Sequence, residues 1–160
     1  MKKIIALSDT HGNRVDLNKL IPLFEEADAV LFAGDGITDF FALPLSVQKK
    51  LICVKGNCDG AAESRERVLT FEGCTVLLTH GDGYGVKQSM TALSLRAREV
   101  GANLVVYGHT HLADEAFVDG VLYVNPGTVS PFATQKSFSY IVINGEKAVA
   151  TINRNFFGGF

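Results

Sequence analysis

The sequence predicts an α/β (α+β) fold in which two packed, mixed β-sheets are flanked by helices, and three observations carry that expectation. Short apolar runs recur along the 160 residues, and several end in an acid-and-glycine or histidine-bearing turn. Up to Asp59 these runs alternate with stretches of helical spacing, the pattern of strand–helix–strand units. After Asp59 most runs come in pairs joined by two-residue turns, which marks hairpins.

Ile4 to Leu7 is a compact apolar run bounded by Ser8-Asp9, as expected of a strand buried on both faces. From Asp16 to Ala27 apolar side chains fall at Leu17, Leu20, Ile21, Phe24 and Ala27, which predicts a helix with Pro22 as its one blemish. Ala29 to Ala33 is the second strand, Phe40 to Lys50 a helix despite Pro44, and Leu51 to Val54 the third strand. Val68 to Phe71 and Cys74 to Thr79 flank Glu72-Gly73, a hairpin turn. Val86 to Val100 has helical spacing, and Leu104 to Tyr107 is a strand leading into Gly108-His109. Phe117 and Val121 to Val124 bracket a turn at Asp119-Gly120, and Phe138 to Ile143 joins Ala148 to Ile152 through Asn144-Gly145. The second half thus reads as mainly a meander.

A length of 160 residues and 47% hydrophobic content predict one domain over residues 1–160 with a single core. With 15 Lys plus Arg against 17 Asp plus Glu, there is no cationic surplus to neutralise a phosphate backbone, so nucleic acid is not an expected partner. No apolar stretch approaches membrane-spanning length, and the first run is too short for a signal-peptide core. Cys53, Cys58 and Cys74 form neither a disulfide framework nor a Cys-x-x-Cys pair, which predicts a reducing cytoplasm.

All four histidines, His11, His80, His109 and His111, lie in or beside short motifs that follow apolar runs. The motifs are Asp9-Thr-His11, Gly34-Asp35, Gly56-Asn57-Cys58-Asp59, His80-Gly81 and Gly108-His109-Thr-His111, which together predict a two-metal centre at strand ends. Asp9 and His11, two apart, can reach one cation together. Asp35 has the carboxylate suited to bridging two cations, and His109 and His111 can each supply a nitrogen to a different one. Asn57 and His80 complete the ligands. Imidazole with carboxylate favours manganese, nickel, zinc or iron, with manganese placed first. Two divalent cations against two aspartates leave two positive charges over. That surplus can hold a bridging hydroxide and an anionic phosphoryl group, with the metals roughly 3.5–4 Å apart.

These five motifs, in this order, resemble those of the calcineurin-like metallophosphoesterases, and the short length and Gly-Asn-Cys-Asp resemble the small YfcE-type phosphodiesterase group. The resemblance implies an α/β/β/α sandwich and hydrolysis of small-molecule phosphodiesters by a hydroxide bridging two divalent metals. It implies that Asp9, His11, Asp35 and His111 hold one metal and that Asp35, Asn57, His80 and His109 hold the other. Asp35, Asn57 and His109 are then the catalytic candidates, while Asn13, Cys58 and Asp59 are candidates for supporting the ligands or touching substrate. Asn125-Pro-Gly-Thr128 resembles a later family turn and would buttress the rim. Cys58 stands where the larger family often has a histidine that protonates the leaving oxygen, so leaving groups that need no proton are expected. The arginine that protein phosphatases place shortly after the bridging aspartate is absent, which argues against phosphoprotein substrates.

Several residues carry a second role at this point. Asn57 also suits a turn, Asn13 a helix N-cap, and Asp59 the closure of its loop. Asp82 and Tyr84 either line a substrate pocket or form a solvated turn, and Cys53 and Cys74 pack in strands. The tail, residues 155–160, carries three phenylalanines and suits either a homo-oligomer contact or docking on its own core. Two alternatives accompany the phosphodiesterase: a phosphomonoesterase, and a non-catalytic protein-binding scaffold like the retromer subunit that shares this fold.

Overall fold

The computed structural model describes residues 1–60 and 63–158. β1 (Lys2–Leu7), β2 (Ala29–Phe32) and β3 (Leu51–Cys53) pair in parallel, with Ile4 opposite Ala29 and Val30 opposite Leu51. The unbroken apolar run of β1 is explained by burial on both sides. Ile4 and Ala6 face a core shared with the other sheet, whereas Ile5 and Leu7 face Leu17, Phe24 and Phe32 beneath the helices.

The expected helix over 16–27 is two helices, α1 (Arg14–Lys19) and α2 (Ile21–Glu26), jointed at Leu20. Pro22 accounts for the break: lacking an N–H, it sits in the first turn of α2, where that donor would have no partner. Over 40–50 the break falls at Pro44, which is the extended N-cap residue between a 3-10 turn (Ile37–Ala42) and the one-turn helix α3 (Leu45–Gln48).

The second sheet contains β4 (Glu66–Phe71), β5 (Cys74–Thr79), β6 (Leu104–Val106), β7 (Asp114–Val118) and β8 (Val121–Asn125), in the order β4-β5-β6-β8-β7. It is not a meander, because β5, β6 and β8 run parallel, with α4 (Thr91–Val100) as the crossover from β5 to β6. α4 begins five residues later than its spacing suggested. Gly85, at φ 61°, ends a 3-10 turn over Asp82–Tyr84, and the Ser89 hydroxyl accepts from the Thr91 N–H.

The last hairpin, β9 (Phe138–Asn144) and β10 (Lys147–Asn153), turns at Gly145-Glu146 and returns to the first sheet. There β9 pairs antiparallel with β1, giving the order β10-β9-β1-β2-β3. The two sheets enclose Ile4, Leu31, Val76, Leu78, Val106 and Ile141. Two five-stranded mixed sheets with outer helices bear out the predicted fold class. The tail docks: Phe156 and Phe157 sit edge-on to Phe138 at 5.5 and 6.2 Å, while Gly159 and Phe160 lie outside the described residues.

A buried polar knot ties α1 to the loop before β9. Asp16 accepts from Lys136 at 2.7 Å, Lys19 at 2.8 Å and Asn13 at 2.8 Å. Burial pushes the Asp16 carboxyl up, but Lys136, Lys19 and Asn13 outweigh it and hold it at about 2, against an ordinary 3.8. A carboxylate depressed on folding stabilises above its unfolded pKa, and that contribution is lost as the pH falls towards 2. Asp16→Asn is expected to cost about 2 kcal/mol at neutral pH, with the gap from wild type closing between about pH 4 and pH 2. Urea unfolding of both proteins at pH 7, 4 and 2 checks this; a gap independent of pH would remove the ionic account.

Candidate metal centre

The carboxyl ends of parallel strands in the two sheets meet at one rim, where ligands bind in open α/β sheets. β1 runs into Asp9 and His11, which have φ of 56° and 43°. Asp35, His109 and His111 are also left-handed, at 65°, 71° and 64°. Non-glycine residues in this region carry strain of about 1–3 kcal/mol each, and here five of the seven predicted ligands share it. The turn aims alternate side chains into one cleft, as the Asp-x-His and His-x-His spacings suggested.

The loops are tied to one another. Asp9 N–H donates to the Gly34 carbonyl at 2.9 Å and His11 N–H to the Asp35 carbonyl at 3.1 Å. Asp39, which the sequence did not single out, accepts from Thr10 Oγ1 at 2.6 Å and Gly12 N–H at 2.9 Å, so it grips the residues on either side of His11. Ser8 Oγ donates to Asp9 Oδ2 at 2.5 Å, and His109 N–H to the same oxygen at 3.1 Å. Asn125 Nδ2 donates to the Gly108 carbonyl and to Thr110 Oγ1, while its Oδ1 accepts from Gly127 N–H. The turn after β8 therefore buttresses the loop bearing His109 and His111.

Asp59 is a positioning residue. Its carboxylate accepts the N–H groups of Asp35 (2.7 Å), Gly36 (2.9 Å), Ile37 (3.2 Å) and Gly56 (2.9 Å). Asp35 Oδ1 in turn accepts from Cys58 N–H at 2.8 Å. The approach leaves no room at Gly56, where a Cβ would stand 2.1 Å from Asp35 Oδ1. Gly56→Ala is expected to displace Asp35 and lower activity at least about 100-fold, the scale of an ångström-sized misplacement. Steady-state kinetics beside circular dichroism check this; normal turnover would mean that the loops yield.

The donor atoms converge. His80, fully buried, donates from Nδ1 to the Ala33 carbonyl at 2.7 Å, which leaves the Nε2 lone pair facing the cleft. That Nε2 lies 3.3 Å from Asp35 Oδ2 and 3.2 Å from His109 Nδ1. His11 Nε2 and His111 Nε2 stand 3.3 Å apart. Asp9 Oδ1 is buried and accepts no hydrogen bond among the described residues, though His111, His11 and His80 nitrogens lie 3.2, 3.5 and 3.9 Å away. Donors bound at about 2.1 Å to one cation stand roughly 3.0–3.4 Å from one another, so this set fits a divalent metal. Three overlapping triads, Asp9–His11–His111, Asp9–Asp35–His80 and His11–Asp35–Cys58, each keep their donor atoms within 4.8 Å.

The charges agree. Burial pushes Asp9 up, but the imidazoles of His11, His111 and His80 and the Ser8 hydroxyl hold it well below the usual carboxylate range. Asp35 is also lowered, because His80 and the Cys58 N–H outweigh its burial. Both carboxylates are anions, as metal ligands must be. The neighbouring Asp9 carboxylate pushes His11 up; burial pushes His80 down, but Asp35 and Asp9 outweigh it and raise it, while burial and His80 push His109 down.

The remaining candidates separate. Asn57 is exposed at the lip, with Nδ2 3.6 Å from Cys58 Sγ and no hydrogen bond to His80 or His109 among the described residues. Asn13 is the N-cap of α1 and donates to the Val129 carbonyl at 2.8 Å, an occupied structural role. Asp82 meets Arg65 and Tyr84 Oη donates to Glu66, so neither side chain joins the cluster. Cys53 and Cys74 are buried in strands. A cleft of about 540 Å³ opens beside the cluster, lined by His11, Arg14, Asp35, Thr38, Asp39 and Cys58. A groove of about 520 Å³ between α4 and the edge of the second sheet carries none of the predicted ligands.

Residues 1–148 match the family model for the calcineurin-like phosphoesterase superfamily domain. The chain is 30% identical over 151 residues to the probable metallophosphoesterase YsnB of Bacillus subtilis, covering 93% of this chain and 88% of that protein. It is 28% identical over 156 residues to the phosphodiesterase YfcE of Escherichia coli, covering 81% and 80% respectively. The structure of Vacuolar Protein Sorting 29 from Cryptosporidium parvum shares the fold, with a TM-score of 0.81 at 18% identity over 96% of this chain and 91% of that one. With the matched region spanning every converging side chain, the chain belongs to the calcineurin-like phosphoesterase superfamily.

Proposed function

We propose that the chain is a metal-dependent phosphodiesterase acting on small phosphate diesters, as one domain over residues 1–160. In this reading Asp9, His11, Asp35 and His111 hold one divalent cation, and Asp35, Asn57, His80 and His109 hold a second. When bound, the cations would supply an activated water for attack on phosphorus and positive charge to offset that growing on the phosphoryl oxygens. Manganese, nickel, zinc and iron all suit the imidazole–carboxylate donors.

The observation that carries this reading is Asp9 Oδ1, a buried anionic oxygen ringed by three imidazole nitrogens without a hydrogen bond. An unmet buried acceptor costs about 1–3 kcal/mol or more, and a cation removes that cost. Asp35 offers one oxygen to the cluster while its other is held by Cys58 N–H, so its orientation is set before any ligand arrives. His80 is similarly fixed through Ala33. With Cys58 in place of an imidazole, the cleft wall offers only a weak acid to the leaving oxygen, which favours diesters of acidic alcohols. Three unpaired cysteines fit a reducing cytoplasm.

The scaffold alternative draws on the shared fold with Vacuolar Protein Sorting 29. The converging, anionic donor set supports catalysis instead. The deciding assay reconstitutes the protein with each metal and compares bis-p-nitrophenyl phosphate with p-nitrophenyl phosphate, a diester and a monoester of one alcohol. A higher kcat/KM on the diester is expected. A monoester preference would assign a phosphomonoesterase, and no turnover of either with any metal would return the scaffold.

A further inference from the structure

The third triad contains an atom that an imidazole–carboxylate centre does not call for. Cys58 Sγ lies within 4.8 Å of donor atoms of both His11 and Asp35, and Cys58 forms part of the cleft wall. It is the exposed cysteine, whereas Cys53 and Cys74 are buried in strands and join no cluster of candidate donor atoms among the described residues. Its backbone is pinned to the metal cluster, because Cys58 N–H donates to Asp35 Oδ1 and Asp59 clamps Asp35 and Gly56 on either side. Asn57 Nδ2 stands 3.6 Å from the sulfur. Independently of the thiol, the unpartnered Asp9 Oδ1 marks the same cluster as one that takes a cation.

We propose that Cys58 is itself a metal ligand, supplying a thiolate beside His11 and Asp35 and biasing the centre towards thiophilic divalent ions such as zinc, cobalt and cadmium over manganese and magnesium. The proposal rests on the two-cation reading above. On binding, the Cys58 S–H bond gives its proton to solvent, the sulfur donates an electron pair to the cation, and no electron is gained or lost by the metal. A soft donor in an otherwise hard or borderline set shifts selectivity in this direction because thiolate favours zinc-like ions, whereas carboxylate and water suit magnesium and manganese. The sulfur would also be unavailable as a proton donor, which accords with the preference for acidic leaving groups.

Cobalt(II) titrated into the metal-free, full-length protein tests this without recourse to activity. The imidazole and carboxylate donors produce visible ligand-field bands, and a bound thiolate adds a sulfur-to-cobalt charge-transfer band in the near ultraviolet. Cys58→Ser is expected to keep the visible bands and lose the charge-transfer band, while Cys53→Ser keeps both. Zinc affinity, read by competition with a chromophoric chelator, falls at least about 10-fold in Cys58→Ser, the lower range for losing even an outer partner of a metal site, and manganese affinity changes much less. Visible bands without a charge-transfer band, or a charge-transfer band that survives Cys58→Ser, would overturn the ligand assignment alone. Absence of visible bands from the wild type would remove the metal centre, and this proposal with it.

Discussion

Asp35→Asn is expected to lower kcat on a phosphate diester about 10³-fold while leaving the protein folded. In the proposed two-cation reading Asp35 serves both cations, and its Oδ2 lies 3.3 Å from His80 Nε2 and 3.8 Å from His11 Nε2. Exchanging a carboxylate for a neutral amide removes a negative charge from the centre. If that costs about 4 kcal/mol of transition-state stabilisation, the several-kilocalorie scale of Lewis-acid catalysis, the rate falls by about three powers of ten. The fold should survive because asparagine Oδ1 can still accept from Cys58 N–H, and its amide can donate to the His80 Nε2 lone pair. Steady-state kinetics, metal content and thermal unfolding of the two proteins form the check. Full turnover by the variant would end the catalytic assignment.

Asp59→Ala is the largest expected stability effect. One carboxylate satisfies four backbone donors that would otherwise sit half-buried, at distances of 2.7 to 3.2 Å. Hydrogen bonds to a charged group contribute about 1.5–3 kcal/mol each, and water can replace part of what is lost, so a net cost of about 4 kcal/mol follows. For a chain of this length that lowers Tm by about 10 °C. Asp59→Asn keeps one acceptor oxygen and should fall between the two. A change in Tm of only a degree or two in Asp59→Ala would show that solvent holds the loop as well as the carboxylate does.

Much of the candidate site was legible because its ligands follow strands. A buried strand announces itself as an apolar run, and the polar residues just beyond are confined to one rim. Asp9, His11, Asp35, His80, His109 and His111 all obey this, and the structure brings them together. Asp39 and the close packing at Gly56 were not legible. Asp39 acts on Thr10 and Gly12 across a gap of nearly thirty positions, and no local periodicity encodes such a contact. The same physics hid the partner of the last hairpin. The residues of Phe138 to Ile143 predict a strand, but which sheet receives it depends on the edge of β1. Helix boundaries failed at Pro22, Pro44 and Gly85, where backbone chemistry overrode apolar spacing.

Asp9, His11 and Asp35 belong to loops of the first sheet, whereas His80, His109 and His111 hang from the second. A cation seated among them would act as a rivet through the seam between the layers. Sliding one layer along the other would pull the rivet's holes out of line, so occupancy and layer alignment must rise and fall together. By mass action, each tenfold excess of metal over Kd would then fasten the whole molecule by a further ~1.4 kcal/mol.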